Sequence, residues 1–198
     1  MGIISNGTTI LDNGAFDVSL GNQVLVSETT ASGASNVQFT SGIDTTYPVY
    51  RIDLIGVTCS TNDRNLQFNL SIDGGSNYNV NKSFNGSYAQ SNDNSLAYNG
   101  SLAAYNNTGN QTIGYNGGTN ASSGISGSFW MFEPGGTTFT KKFMAFTNTK
   151  SYESAISRTL FVCGQYNGTD NIDAVKFEFD SRGGTTSGIF KLYGFKDS

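Results

Sequence analysis

Apolar and polar residues alternate with a period of two along most of the chain after residue 22. Leu66, Phe68, Leu70 and Ile72 form the clearest of these series. Successive side chains of a β-strand point to opposite faces of the sheet, so the pattern is typical of strands with one buried face. It predicts about ten strands with turn signals between them.

The predicted strands are short segments, and most of them end at a turn signal. They lie within residues 24–26, 37–39, 47–57, 64–72, 78–80, 127–132, 139–147, 159–163, 172–179 and 188–195. The sharpest turn is Asp73-Gly74-Gly75, which predicts a tight hairpin returning through Tyr78 and Val80. Uneven spacing and one long insertion favour an all-β, jelly-roll-like antiparallel β-sandwich over an up-and-down barrel.

Two segments depart from this pattern. Residues 1–22 show no sustained period and are predicted to be an extended N-terminal arm before a sandwich of residues 23–198. Within the sandwich, a Tyr-, Asn- and Gly-rich insertion around residues 84–120 loses its periodicity. It predicts either a short helix at residues 95–104 or a long loop, and long loops in compact domains are usually functional.

The composition supports the β class. Asn (22), Ser (24), Thr (21) and Gly (25) make up nearly half of the 198 residues, and none of the four suits a helix interior. The 24 Phe and Tyr residues are enough to fill one sizeable core. A whole-chain disordered state is therefore excluded.

Charge and hydropathy exclude several partners. The net charge is −4 with 11 Lys and Arg and no basic run, so we expect no binding to nucleic acid. No apolar stretch is long enough to cross a membrane, and the N-terminus lacks the pattern of a secretory signal. We expect synthesis in a cytoplasm and no membrane association.

Catalysis has few candidate residues, because the chain contains no histidine. Without the commonest general base and metal ligand, we predict no enzyme activity, no catalytic residue, no cofactor and no metal site. Paired carboxylates of a glycosidase remain the alternative. The acidic residues available for such a pair are Asp53, Glu133, Glu153, Asp173, Glu178 and Asp180.

Three further features have both a structural and a functional interpretation. Asn167–Asp173 is oxygen-rich like half of a calcium loop, but it lacks the bidentate Glu, which favours a plain turn. Trp130 lies in an uninterrupted apolar run that predicts a strand covered on both faces, with a sugar-stacking platform as the alternative. Cys59 and Cys163 could pair, although two cysteines in such a domain are more often free.

The Tyr-rich insertion has the composition of an adaptable binding surface. Its tyrosines recur at intervals of about ten residues and are the candidates for surface contact. They are Tyr88, Tyr98, Tyr105 and Tyr115. The alternating Phe177, Phe179, Phe190 and Leu192 form either the sandwich interior, which the period of two favours, or the core of an oligomer.

Several motifs resemble one family of tailed-bacteriophage virion proteins. They are Ile4-Ser5-Asn6-Gly7-Thr8-Thr9-Ile10 with Asp12-Asn13-Gly14, the Thr30-Ala31-Ser32 step, Gly42-Ile43-Asp44-Thr45-Thr46-Tyr47, Leu66-Gln67-Phe68, Ser71-Ile72-Asp73-Gly74-Gly75-Ser76-Asn77-Tyr78, Asp173-Ala174-Val175-Lys176-Phe177 and the closing segment 187–195. The resemblance covers both ends of the chain and covers residues 84–150 poorly.

This resemblance implies a jelly-roll module of head decoration (cement) proteins and of tail-fibre or adhesin tips, commonly homotrimeric. The expected function is a structural, capsid-stabilising subunit of the virion, assembled in the host cytoplasm, with itself and the major capsid protein or another virion protein as partners. The alternative is a tail-fibre or receptor-binding tip. The apolar residues of the arm would dock on the capsid; they are Ile3, Ile4, Ile10, Leu11 and Phe16.

Overall fold

The fold was obtained as a computed structural model that describes residues 3–5, 8–12, 15–16, 22–91, 97–152, 156–181 and 184–196. The described residues form fifteen strands and one short 3-10 turn at Ala121–Ser123. The strands are β1 (Ile3–Ser5), β2 (Thr8–Asp12), β3 (Ala15–Phe16), β4 (Gln23–Ala34), β5 (Val37–Phe39), β6 (Val49–Cys59), β7 (Arg64–Ser71), β8 (Lys82–Ser91), β9 (Ala97–Asn107), β10 (Gln111–Gly117), β11 (Ile125–Phe132), β12 (Lys142–Lys150), β13 (Ser157–Tyr166), β14 (Ala174–Phe179) and β15 (Thr186–Phe195).

Two antiparallel sheets pack face to face as a sandwich, which confirms the predicted all-β class. The large sheet has eight strands in the order β4-β15-β6-β11-β12-β13-β8-β9, and the small sheet has four in the order β10-β7-β14-β5. A third sheet of three short strands, β1-β2-β3, is formed within the predicted arm. Its strands lie inside residues 1–22, so the arm has a hydrogen-bonded structure of its own.

Aromatic rings from both sheets fill the interior. Phe68 of the small sheet is fully buried, and its ring centroid lies 4.5 Å from that of Phe129 and 5.1 Å from that of Phe143 in the large sheet. Phe177 and Phe190 also meet across the sheets at 5.7 Å. The alternating set Phe177, Phe179, Phe190 and Leu192 is buried, so its assignment to the sandwich interior is confirmed.

The predicted hairpin after Ile72 is wrong. Strand β7 pairs with β10 and β14, and residues 77–81 form no strand beside it. The Asp73 carboxylate holds the turn by accepting hydrogen bonds from the Ser71 hydroxyl at 2.7 Å and the Asn77 amide N–H at 2.8 Å. Beyond the turn the chain crosses to the large sheet, because Val80 is buried in the core and β8 pairs with β13.

The helix and loop predicted for residues 84–120 are also wrong. Most of this interval forms β8, β9 and β10, and β8 pairs with β9 from Lys82↔Asn107 to Ser91↔Ala97. Small and polar residues predominate in β8 and β9, so these strands have little apolar periodicity. The insertion is therefore part of the sandwich.

Candidate functional site

The outward side of the large sheet is the most extensive candidate surface. Among the described elements, the small sheet covers only its inward side. Large apolar and aromatic side chains nevertheless point outward from most of its strands, and we call this surface the outer aromatic face. Its members are Leu25, Trp130, Phe132, Met144, Phe146, Phe161, Tyr193 and Phe195.

Register places these residues in rows across the sheet. Tyr193, Arg51, Trp130 and Met144 are direct neighbours on four adjacent strands, and Phe146 opposes Phe161 two residues further along. Phe146 is 51% exposed and Phe161 is 40% exposed, although their neighbours in sequence are core residues. Such a contiguous apolar patch usually marks an interaction site.

Arg51 lies at the centre of this face. Its guanidinium carbon is 5.3 Å from the centroid of the Trp130 ring, 5.0 Å from that of Tyr193 and 5.3 Å from that of Phe195. The Trp130 and Phe195 rings stack at 5.4 Å. Arg51 therefore holds three aromatic rings in one fixed cluster by cation–π contacts.

Two of the cations on the outer aromatic face are paired with carboxylates. Arg51 Nε lies 2.7 Å from Asp53 Oδ1, and Lys191 Nζ lies 3.2 Å from Glu28 Oε2 in the neighbouring row. Covering the face would leave neither of these charges without its partner. Lys142 on the same face instead donates to Thr140 Oγ1 at 3.0 Å and to Gln165 Oε1.

A shallow groove of about 720 Å³ crosses one side of this face. Its outward lining includes Phe132, Lys142, Met144, Cys163 and Gln165. A second groove of about 520 Å³ adjoins it at Phe132 and Lys142 and ends beside Phe139, which is 67% exposed. The outer aromatic face therefore carries two adjoining grooves on this side.

Trp130 corrects one prediction. Phe129 and Met131 are buried, whereas Trp130 between them is only half-buried and lies on the outer aromatic face. The apolar run arises because both faces of β11 carry apolar residues, although only one is covered by the small sheet. One side of the indole ring contacts Phe195, and its Nε1 donates to Ser128 Oγ at 2.9 Å.

The predicted contact tyrosines lie on strands. Tyr88 of β8 and Tyr115 of β10 meet edge to face with centroids 5.7 Å apart, at one end of the space between the sheets. Together with Gln90 and Arg158 they line a pocket of about 190 Å³. Tyr98 and Tyr105 belong to β9, but their side chains lie outside the described residues.

The five arm residues fall on the third sheet. Ile3 and Ile4 lie on β1, Ile10 and Leu11 on β2, and Phe16 on β3. Backbone register pairs Ile3 with Leu11 and Leu11 with Phe16, so three of them occupy one row across the sheet. Their side chains lie outside the described part of the structure.

Most of the candidate carboxylates have structural partners. Asp53 pairs with Arg51, Glu178 Oε1 lies 2.8 Å from Lys176 Nζ, and Asp180 accepts from the Asn65 N–H at 3.1 Å. Asp173 accepts from the Gly74 N–H. Glu133 lines a polar pocket of about 330 Å³ that also contains Asp44 and Lys196. Glu153 lies outside the described residues.

The oxygen-rich turn bonds to neighbouring side chains, and both cysteines are free thiols. In the part of the chain that the structure describes, no three His, Cys, Asp or Glu side chains cluster as metal ligands. In the oxygen-rich turn, the Thr169 carbonyl accepts from Lys141 Nζ at 3.0 Å, and Asp170 accepts from the Tyr166 hydroxyl at 2.6 Å. Both cysteines are free; burial raises the pKa of the Cys59 thiol.

Comparison with other proteins gave no match. No family model matches the chain, and neither the curated proteins nor the solved structures include a significant match. Within the described residues, no helix has the length and hydrophobicity needed to span a membrane. The function must therefore be argued from the surfaces themselves.

Proposed function

We propose that the chain is a structural protein of a tailed-phage virion, a capsid decoration protein that binds the head shell through its outer aromatic face. One observation carries the proposal: a broad sheet face with exposed Phe146 and Phe161, on which Arg51 and Lys191 are paired with carboxylates of the same molecule. The motifs that resemble phage virion proteins support a phage virion as the assembly to which the chain belongs. The proposed role is stabilisation of the shell, without catalysis.

The dimensions of the face suit a small protein interface. Its members lie on the strands from β4 to β13, and at ~4.8 Å between strands these six span about 24 Å. About seven residues along each strand give a footprint of roughly 500 Å², below the ~800 Å² per partner of a standard interface. The proposed docking of the N-terminal arm would add to this area.

The N-terminal segment and the association state complete the proposal. The strands β1, β2 and β3 pair with one another, so residues 1–22 can act as a separate docking arm beside the sandwich. We propose that the arm docks on the capsid through Ile3, Ile4, Ile10, Leu11 and Phe16, and that the chain is a homotrimer. Deletion of residues 1–22 should abolish head binding while the sandwich still folds.

Substitution of Phe146 by Lys tests the outer aromatic face. The side chain is half-exposed, so Phe146→Lys should fold normally while placing an unpaired charge in the proposed interface. We expect binding to heads that lack the protein to fall by at least about tenfold in a co-sedimentation assay. The matched control is Ser76→Lys at the exposed turn after β7, which should bind like the wild type.

Two results would contradict this proposal. Wild-type binding by the Phe146→Lys variant would remove the outer aromatic face from the interface. Immunogold labelling of intact virions with antibody against the protein should decorate the head. Labelling of the tail alone, or no labelling of the particle, would overturn the decoration function itself.

A receptor-binding tip of the tail is the second candidate function. The pocket formed by Tyr88, Gln90, Tyr115 and Arg158 favours it, because aromatic and amide groups in a cleft are suited to ligand contact. In that case the outer aromatic face would hold the fibre subunits together. Label at the tail tip and binding to host cells would support this alternative.

A further inference from the structure

A small pocket opens between the two sheets at the end where β8 and β13 face β10. Tyr88, Gln90 and Arg158 line it from the large sheet, and Tyr115 lines it from the small sheet. Its volume of about 190 Å³ equals roughly six water molecules at ~30 Å³ each, enough for one sugar ring. The sandwich thus has a cleft between its two sheets that is large enough for a small ligand.

Arg158 gives this pocket a charge that the described chain leaves unbalanced. It occupies the same side of β13 as buried Leu160, and its Nε donates to Gln90 Oε1 at 2.9 Å. Its Nη1 is shielded from solvent and has no hydrogen-bond partner, and no described carboxylate forms an ion pair with the guanidinium. The guanidinium carries a positive charge, so the pocket is cationic.

A guanidinium in this state selects for a planar anion. Nη1 and Nη2 form a fixed fork that matches a carboxylate with two parallel hydrogen bonds, and a ligand reaches the shielded Nη1 once the side chains around it shift. Gln90 fixes the fork by accepting from Nε, and its own amide NH₂ group remains a donor beside the pocket. The polar part of the site therefore consists of donors, which suits a carboxylate and neighbouring hydroxyl groups.

The tyrosines supply the other part of the site. The planes of the Tyr88 and Tyr115 rings are inclined at 77° to each other and their centroids lie 5.7 Å apart, so one ring presents an edge and the other a face. Both are only partly buried. Aromatic rings with a polar tip contact the C–H faces of a sugar and its hydroxyls together.

We infer that the pocket of Tyr88, Gln90, Tyr115 and Arg158 binds a single carboxylate-bearing sugar, with Arg158 pairing with the carboxylate and the tyrosines contacting the ring. This inference does not depend on the virion proposal, because it concerns a different surface. The site would give the protein specificity for acidic glycans whether it lies on the head or on the tail of a particle.

Titration of isotope-labelled protein by NMR tests the site with three probes. Glucuronate supplies both ring and carboxylate, glucose supplies the ring alone, and acetate supplies the carboxylate alone. We expect saturable shifts of Tyr88, Gln90 and Tyr115 signals with glucuronate, with a dissociation constant on the order of 1 mM. Glucose and acetate should each bind at least about tenfold more weakly.

Substitutions of Arg158 test whether its charge binds the carboxylate. Arg158→Gln should weaken glucuronate binding at least about tenfold and leave the response to glucose unchanged. Lys150→Gln, at the exposed end of neighbouring β12, removes the same charge outside the pocket and should bind like the wild type. If Arg158→Gln does not fold, Arg158→Lys keeps the charge without the fork and should also weaken binding.

Four outcomes would overturn the inference. Equal binding of glucuronate and glucose would remove the role of the carboxylate, and equal binding of glucuronate and acetate would remove the role of the ring. Unchanged glucuronate binding in the folded Arg158 variant, or no saturable shift in the wild type, would remove the site. Head labelling by immunogold would be unaffected by any of these results.

Discussion

Lys82 is a buried residue whose pKa lies well below its ordinary value. Its side chain is fully buried in the sandwich, and its Nζ donates to Asn69 Oδ1 at 2.6 Å and to the Val80 carbonyl at 2.8 Å. Neither partner is charged, so burial lowers the pKa of Lys82 to about 8. The folded protein therefore loses this proton more readily than the unfolded chain.

Stability should rise with pH above the pKa of Lys82 in the folded state. Between pH about 8 and the ordinary lysine value of 10.5, the unfolded chain holds a proton that the folded protein has released. The free energy of unfolding should increase by up to about 1.4 kcal/mol per pH unit in this window. Urea unfolding at pH 7, 8, 9 and 9.5 would measure the slope.

Lys82→Met is the control for this pH dependence. The variant should lose most of the slope. What remains should combine Lys141, whose pKa is also lowered by burial, with the Cys59 thiol, whose raised pKa opposes the rise. Measurements should stop below pH 10, because burial raises the pKa of Tyr50, Tyr78 and Tyr166 to about 12 and their titration opposes the rise. An equal slope in wild type and variant would contradict the assignment.

At the scale of strands, the sequence predicts the core elements better than the outer ones. Strand β7 carries buried Leu66, Phe68 and Leu70 in strict alternation, so its existence and its buried face follow from periodicity. The β8–β9 hairpin lies at one end of the large sheet, and small and polar residues predominate in both of its strands. The pairing of β8 with β13 depends on contacts distant in sequence, which no local pattern encodes.

The candidate site was missed for a related reason. Phe146 and Phe161 lie next to core residues in sequence, and periodicity indicates that β12 and β13 carry apolar residues on both faces. It does not indicate that only one face will be covered, because that depends on the small sheet having four strands against eight. The unpaired guanidinium of Arg158 likewise depends on which strands face β13.

Gly127 shows how closely the central strands approach one another. A Cβ at this position would lie 2.1 Å from the Phe146 carbonyl oxygen, and the backbone φ of +156° suits few other residues. Gly127→Ala should lower the free energy of unfolding by about 3 kcal/mol or more. Chemical denaturation measures the change directly.

Gly74→Ala separates conformational strain from steric conflict. Gly74 also has a positive φ, +70°, but a Cβ there would meet no heavy atom within 4 Å. This variant should lose only about 1 kcal/mol. If the two variants were equally stable, close approach between β11 and β12 would not explain the glycine at position 127.

At the scale of the whole molecule, the association state can be separated from shell binding. The predicted homotrimer should sediment at three times the mass of the 21.1 kDa chain. If the outer aromatic face binds the shell, it makes no contact between the copies of the trimer. The Phe146→Lys variant should then remain trimeric. Dissociation of the variant would assign the face to self-association, and a monomeric wild type would contradict the trimer.

The internal ion pairs of the outer aromatic face have a consequence for solution conditions. Added salt weakens association mainly by screening attraction between opposite charges on two partners. Here Arg51 already faces Asp53 and Lys191 already faces Glu28 within one molecule, so these two pairs attract a partner only weakly, and Lys142 and Lys150 of β12 remain to attract one. Assembly through this face should therefore depend only weakly on ionic strength, and particles should keep most of their subunits both in dilute buffer and in concentrated salt.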